Sequence, residues 1–185
     1  VRFTASVNAV CDEVEQRIAR GEGVAPKGTP RIVLSGCPMA VPNWKLPALV
    51  EAAGAVIVGE ESCVGDRGTQ GLTADTGTTV DALMDALVDR YMGIDCAIFT
   101  PNPSRLEHVQ RMAGDLDAQG VIHYGLLFCS PYQIEAGPVE RRLEQGRTAA
   151  IPLGQGPVEW RLHTGENSCL HRSIRFREVG STFKP

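Results

Sequence analysis

The apolar positions divide the chain into alternating helical and extended stretches. Over residues 4–20, Val7, Val10, Cys11, Val14 and Ile18 recur at helical spacing with charged residues between them, which predicts an amphipathic helix. Cys11 lies on that stripe and is expected to be a buried structural thiol, since free cysteine is among the most buried residue types. After a Gly/Pro/Lys connector over residues 21–30, Arg31-Ile32-Val33-Leu34-Ser35-Gly36 reads as a short buried strand. A Pro-bearing loop follows, then a helix around residues 43–53 closed by Gly54, then a second strand at Ala55-Val56-Ile57-Val58. Strand, loop, helix, strand is the order of a parallel βαβ unit.

Residues 60–77 form a Gly/Thr/Asp-rich loop long enough to point to function. Thr78 and Asp81 suit a capping box for a helix carrying Val80, Leu83, Met84, Leu87, Val88 and Tyr91. A short apolar segment, Cys96-Ala97-Ile98-Phe99-Thr100, comes next. Asn102 as N-cap and Pro103 at the first helical position then start a helix with Leu106, Val109, Met112 or Ala113, and Leu116 on one side. Residues 121–128 read as a third strand and residues 132–145 as a further helix with Pro138 as a local irregularity. The expected fold class is therefore α/β, a three-layer αβα arrangement with a mostly parallel, Rossmann- or flavodoxin-like sheet and right-handed crossovers.

Charge changes this picture at one end. Residues 1–145 carry 12 basic and 19 acidic side chains, whereas residues 146–185 carry 6 basic and 3 acidic. One domain over residues 1–145 is expected, with 146–185 an atypical tail in which only Ala149-Ala150-Ile151-Pro152-Leu153 resembles a strand. The acidic body speaks against a nucleic-acid surface, because phosphate binding needs a basic face. No apolar stretch reaches the roughly 18 residues of a membrane span, and no signal peptide is visible, so a cytoplasmic location is expected.

Six cysteines without a secretory signal point to metal or redox chemistry more than to a disulfide framework. Cys37 follows the first strand, Cys63 lies beyond the second, and Cys129 follows the third. Ligands of open parallel α/β sheets bind outside the carboxyl ends of the strands, so these three residues can converge there although 26 and 66 positions separate them. They are the candidate metal- and cofactor-binding residues. Cys96 opens its segment and is expected at the opposite edge of the sheet; Cys169 has no assigned role. His123 lies inside a strand and is expected to be a core or surface histidine. Soft thiolates select iron–sulfur clusters, zinc or copper, and spacing alone leaves iron–sulfur and zinc both open.

Four stretches in order carry a resemblance: Arg31-Ile32-Val33-Leu34-Ser35-Gly36-Cys37-Pro38-Met39, Glu61-Ser62-Cys63-Val64-Gly65-Asp66-Arg67, Thr100-Pro101-Asn102-Pro103-Ser104-Arg105-Leu106-Glu107, and Phe128-Cys129-Ser130-Pro131-Tyr132-Gln133-Ile134-Glu135. Together they resemble the carboxyl-terminal domain of the 2-hydroxyacyl-CoA dehydratase family, which includes benzoyl-CoA reductase subunits and double-cubane cluster proteins. The resemblance implies an iron–sulfur cluster, 4Fe–4S or double cubane, on Cys37, Cys63 and Cys129, reduced by a separate ATP-dependent activator protein. It implies radical dehydration of an (R)-2-hydroxyacyl-CoA to an enoyl-CoA: one electron enters the thioester carbonyl, the ketyl radical lets hydroxide leave, and the electron is recovered. Catalytic acid–base residues remain unnamed. Family members are longer, with an amino-terminal domain that supplies further ligands, so a fragment or half of a split protein is expected, working with that domain or a second subunit. The alternatives are a double-cubane reductase of small molecules, a cluster-binding subunit without turnover of its own, and a zinc-stabilised domain. Glu61-Ser62-Cys63 and the stretch after Cys129 resemble the double-cubane branch somewhat more. Arg67 and Glu135 are expected to be solvated surface charges, with a role in holding a thiolate or an anionic substrate as the alternative.

Overall fold

A computed structural model describes residues 2–39, 44–126, 128–145 and 149–153. The elements are α1 (Arg2–Ala19), β1 (Arg31–Gly36), α2 (Lys45–Ala52), β2 (Val56–Glu61), a short 3-10 turn (Asp66–Gly68), α3 (Val80–Met92), α4 (Pro103–Asp115), β3 (Gly120–Tyr124), α5 (Ser130–Gln145) and β4 (Ala149–Leu153). All four strands are parallel, in the order β2-β1-β3-β4. This is the expected α/β class. The sheet runs to Leu153, past the expected domain limit at residue 145, and residues 154–185, with Cys169, lie outside the described residues.

Successive strand residues point to opposite faces, so Arg31–Gly36 must be apolar on both sides to lie between two helical layers. Ile32, Leu34 and Ile122 pack against Val50 of α2 on one face. On the other, Val33 and Val121 meet Val109, Met112 and Ala113 of α4 with Val139 and Leu143 of α5. Each such Val, Leu, Ile or Met side chain, fully buried, contributes about 1.5–3 kcal/mol. The chain winds one way from β1 to β2 and the other way to β3, so the switch point of the sheet lies between β1 and β3. No described helix is long and apolar enough to cross a membrane.

Five expectations change. The helix α1 forms, but none of its residues is buried and Cys11 is exposed, because no other described element packs on its stripe. Helical spacing shows that an apolar side exists, not that anything covers it. The apolar side of α3 is likewise exposed. Its N-cap is Thr79, not Thr78: the Thr79 hydroxyl accepts the Ala82 N–H at 3.2 Å. Residues 96–100 are a turn and not a strand, since Phe99 N–H bonds back to the Cys96 carbonyl at 3.0 Å and the Asn102 amide takes the same oxygen at 2.8 Å. Finally, β3 ends at Tyr124 although apolar residues continue, because its neighbour β1 turns away at Gly36. Gly36 has φ +116°, and Cys37 N–H caps the ladder on the Tyr124 carbonyl at 2.8 Å.

Candidate functional site

Each of the three candidate cysteines lies at the carboxyl end of the sheet, Cys63 and Cys129 on short turns. Cys37 leaves β1 at Gly36 and is buried. Cys63 is the second residue of a turn closed by Gly65 N–H on the Ser62 carbonyl at 3.1 Å, and is exposed. Cys129 does not follow β3 directly, as the shortened strand requires; it immediately precedes α5, with its N–H on the Leu126 carbonyl at 3.0 Å and its own carbonyl accepting Gln133 N–H at 3.2 Å.

Cys37 and Cys129 come together across the switch point. They pack in one cluster with Ala97, Tyr124 and Tyr132. Burial pushes the Cys37 thiol up to about 11; the Leu126 N–H opposes this, while hydrogen bonding to Cys129 and the nearness of Cys129 and Cys63 add to it. A metal held there must therefore displace protons from its ligands. Two N–H groups point at sulfur: Leu126 N–H at 3.5 Å from Cys37 Sγ and Arg67 Nη1 at 3.6 Å from Cys63 Sγ. Among the described residues no three His, Cys, Asp or Glu side chains close around a single ion. The fit to an iron–sulfur group rests on the donor set: three soft thiols, after β1, after β2 and before α5, with N–H donors beside two of them.

Cys96 does not lie at the opposite edge. The turn that replaced its expected strand places Ala97 against Cys37 and Tyr132, at the same end of the sheet as the candidate ligands.

Beneath the thiols lies a dry ionic network that includes Arg67 and Glu135, the two charges expected in solvent. Glu61, at the end of β2, and the Arg67 and Arg105 side chains are 0% exposed. Glu61 Oε1 accepts Arg67 Nε and lies 2.8 Å from both Nε and Nη2; Oε2 accepts Arg105 Nη2 at 2.9 Å and the Ser35 hydroxyl at 2.8 Å. Arg105 Nη1 pairs with Glu135, which is also buried. Arg67 Nη1 donates to the Tyr132 hydroxyl at 2.9 Å, and both guanidiniums lie near the Tyr132 ring, at 5.8 and 5.2 Å from its centroid. Two cations thus balance two anions, as a dry site requires. Burial lifts the Glu135 carboxyl above the usual range against the pull of Arg105, and raises the Tyr132 hydroxyl to about 12 against that of Arg67. Burial alone would lower Arg67, but Glu61 and Tyr132 outweigh it and hold the guanidinium firmly protonated.

Arg67 and Glu135 are therefore not solvated charges. Glu61 and Arg105 were missed as well, although Arg105 stands in step with Val109 and Met112, four and seven residues on, along the face of α4 that packs on the sheet. A second contact fixes the Cys63 turn from outside: Asp66 Oδ2 accepts Gln70 Nε2 at 2.8 Å and lies 2.9 Å from His108 Nε2 on α4.

His123 is the core histidine expected of a strand residue: buried, with Nε2 donating to the Tyr132 carbonyl at 2.9 Å. Burial lowers its pKa. A group whose folded pKa is depressed adds stability above its unfolded value, near 6.5, and withdraws it as the pH falls through that region, by at most about 1.36 kcal/mol per pH unit. His123→Gln should thus unfold with a smaller difference between pH 7.5 and pH 5.5 than the parent in urea titrations. Equal differences would remove His123 as the cause.

Comparison with known proteins places the chain in a family. The sequence model of a protein family described as "2-hydroxyglutaryl-CoA dehydratase, D-component" matches residues 1–153. The chain is also similar to a protein of Escherichia coli (strain K12) with the name "Putative dehydratase subunit YjiM", with 31% identity over 139 residues. That match takes in 75% of this chain and 35% of the relative, so the matched stretch spans about a third of the relative's length.

Proposed function

We propose, from the premise that the chain belongs to the 2-hydroxyglutaryl-CoA dehydratase D-component family, that it is the iron–sulfur component of a 2-hydroxyacyl-CoA dehydratase-type enzyme. The observation that supports this reading is the packing of Cys37 with Cys129 at the switch-point end of the sheet, with Cys63 on the turn after β2 near enough to act on the Cys37 thiol, and an N–H donor at the sulfurs of Cys37 and Cys63. The cluster would supply the low-potential electron that lets hydroxide leave the carbon next to an acyl-CoA thioester. The chain's own part is to hold the three sulfurs on separate segments, keep Cys37 out of water, and stabilise charge at the sulfurs through Arg67 and Leu126.

The electron would come from an ATP-dependent activator protein, and the acyl-CoA pocket would be completed by a second subunit or a further domain. The relative named as a subunit supports an assembly of this kind. Reduced thiols of this type belong in the cytoplasm, where disulfides are rare.

Anaerobic reconstitution of the full chain with iron and sulfide tests the reading. Charge-transfer absorbance in the visible and bound iron are expected, and Cys37→Ser, Cys63→Ser and Cys129→Ser should each lower the iron content. Cys11→Ser and Cys169→Ser should leave it unchanged. Equal iron in all five variants would sink the ligand assignment, and a colourless wild type would sink the function.

A further inference from the structure

We propose that Arg67 is a positioning residue for the Cys63 sulfur, fixing it and raising the electron affinity of the iron–sulfur group it would hold; this rests on the function proposed above. Cys63 itself is exposed on a turn, with little around it to set where its sulfur lies. Arg67, four residues on, is fully buried and held by two partners, Glu61 and Tyr132. Nε and Nη2 face Glu61 Oε1, and Nη1 serves both the Tyr132 hydroxyl at 2.9 Å and Cys63 Sγ at 3.6 Å. Glu61 is itself pinned to β1 through Ser35 and to α4 through Arg105. The guanidinium is therefore part of the sheet's rigid end, and the sulfur is the movable party.

Only arginine meets these demands together. Its planar fork offers five N–H donors at fixed angles, whereas lysine offers one compact charge that pairs with Glu61 but does not also reach sulfur and hydroxyl. Because the contact is dry on the guanidinium side, water screens it weakly. A positive N–H donor at a ligand sulfur favours the state carrying more negative charge, so it favours the reduced cluster.

The test uses reconstituted full chain, reading iron per chain, the rate of iron loss to a chelator, and the midpoint potential. Arg67→Lys keeps the charge and loses the fork. The double variant Glu61→Gln/Arg67→Gln removes a matched pair of charges and leaves Arg105 with Glu135, sparing the balance of the network. Both are expected to lose iron about 10-fold faster than the parent, the lower end of the effect of removing an outer partner of a metal ligand. Both should also titrate at a more negative potential. Variants that hold iron with the parent's rate and potential would overturn the inference while leaving the proposed function standing. Loss of folded structure in both would assign Arg67 to the scaffold alone and overturn it as well. A wild type without iron would remove the proposed function, and this inference with it.

Discussion

Arg105→Met is expected to lower the unfolding free energy by about 3–5 kcal/mol, a large share of what a domain of this size has. Methionine fills the space of the arginine stem, but it leaves Glu61 with one cation and Glu135 with none, in surroundings where neither carboxylate is hydrated. The cost lies in that stranded charge more than in the lost attraction. The double variant Arg105→Met/Glu135→Gln removes one charge of each sign and should recover part of the loss, while Glu61 keeps Arg67. Urea unfolding followed by far-ultraviolet circular dichroism gives all three values. A single variant within error of the parent, or a double variant no better than the single, would contradict this account of the network.

Gly36→Ala should be as damaging for a different reason. A Cβ at residue 36 would lie 2.1 Å from the Tyr124 carbonyl oxygen and 3.0 Å from two more backbone atoms of Tyr124, so the sheet must open. The φ of +116° adds a conformational cost of about 1–3 kcal/mol. The sum places the loss at about 4 kcal/mol or more, the range reached only by outright disruption. The same opening would carry Cys37 away from Leu126 N–H, so any folded remainder should also bind less iron. Gly21→Ala is the control: its φ is +71° with nothing within 4 Å, and only the backbone term applies. Equal losses at the two positions would mean that crowding against β3 is not the cause.

Much of this architecture was legible in the residues. The run Arg31–Gly36 is apolar on both faces and could only be an inner strand, and Asn102-Pro103 marks the start of α4 where it lies, with the Asn102 side chain accepting Arg105 N–H at 3.3 Å. The parallel sheet and the meeting of Cys37 with Cys129 at its carboxyl end followed from the alternation of elements. What escaped was non-local. The stretch after Tyr124 is apolar enough for a strand, but β1, its neighbour up to that point, turns aside at Gly36. Residues 96–100 have strand-like composition, yet one asparagine side chain and a tight turn take the backbone groups a strand would have used. Buried charge is the hardest case, because Glu61 and Arg105 look like any surface pair until the fold places them 2.9 Å apart across 44 residues.

The strand order also sets a sequence in time. The inner pairing joins β1 to segments far along the chain: Arg31 N–H bonds to the Gln119 side chain 88 positions away, beside the first rung of β1 with β3. Such distant closures make folding slow relative to helical domains of similar size. During synthesis β1 and β2 emerge before β3, paired along one edge, while the other edge of β1 waits for β3 with its N–H and C=O groups open. Conditions that lengthen that wait, such as low temperature or sparse chaperones, should cost more in yield than the finished fold's stability would suggest.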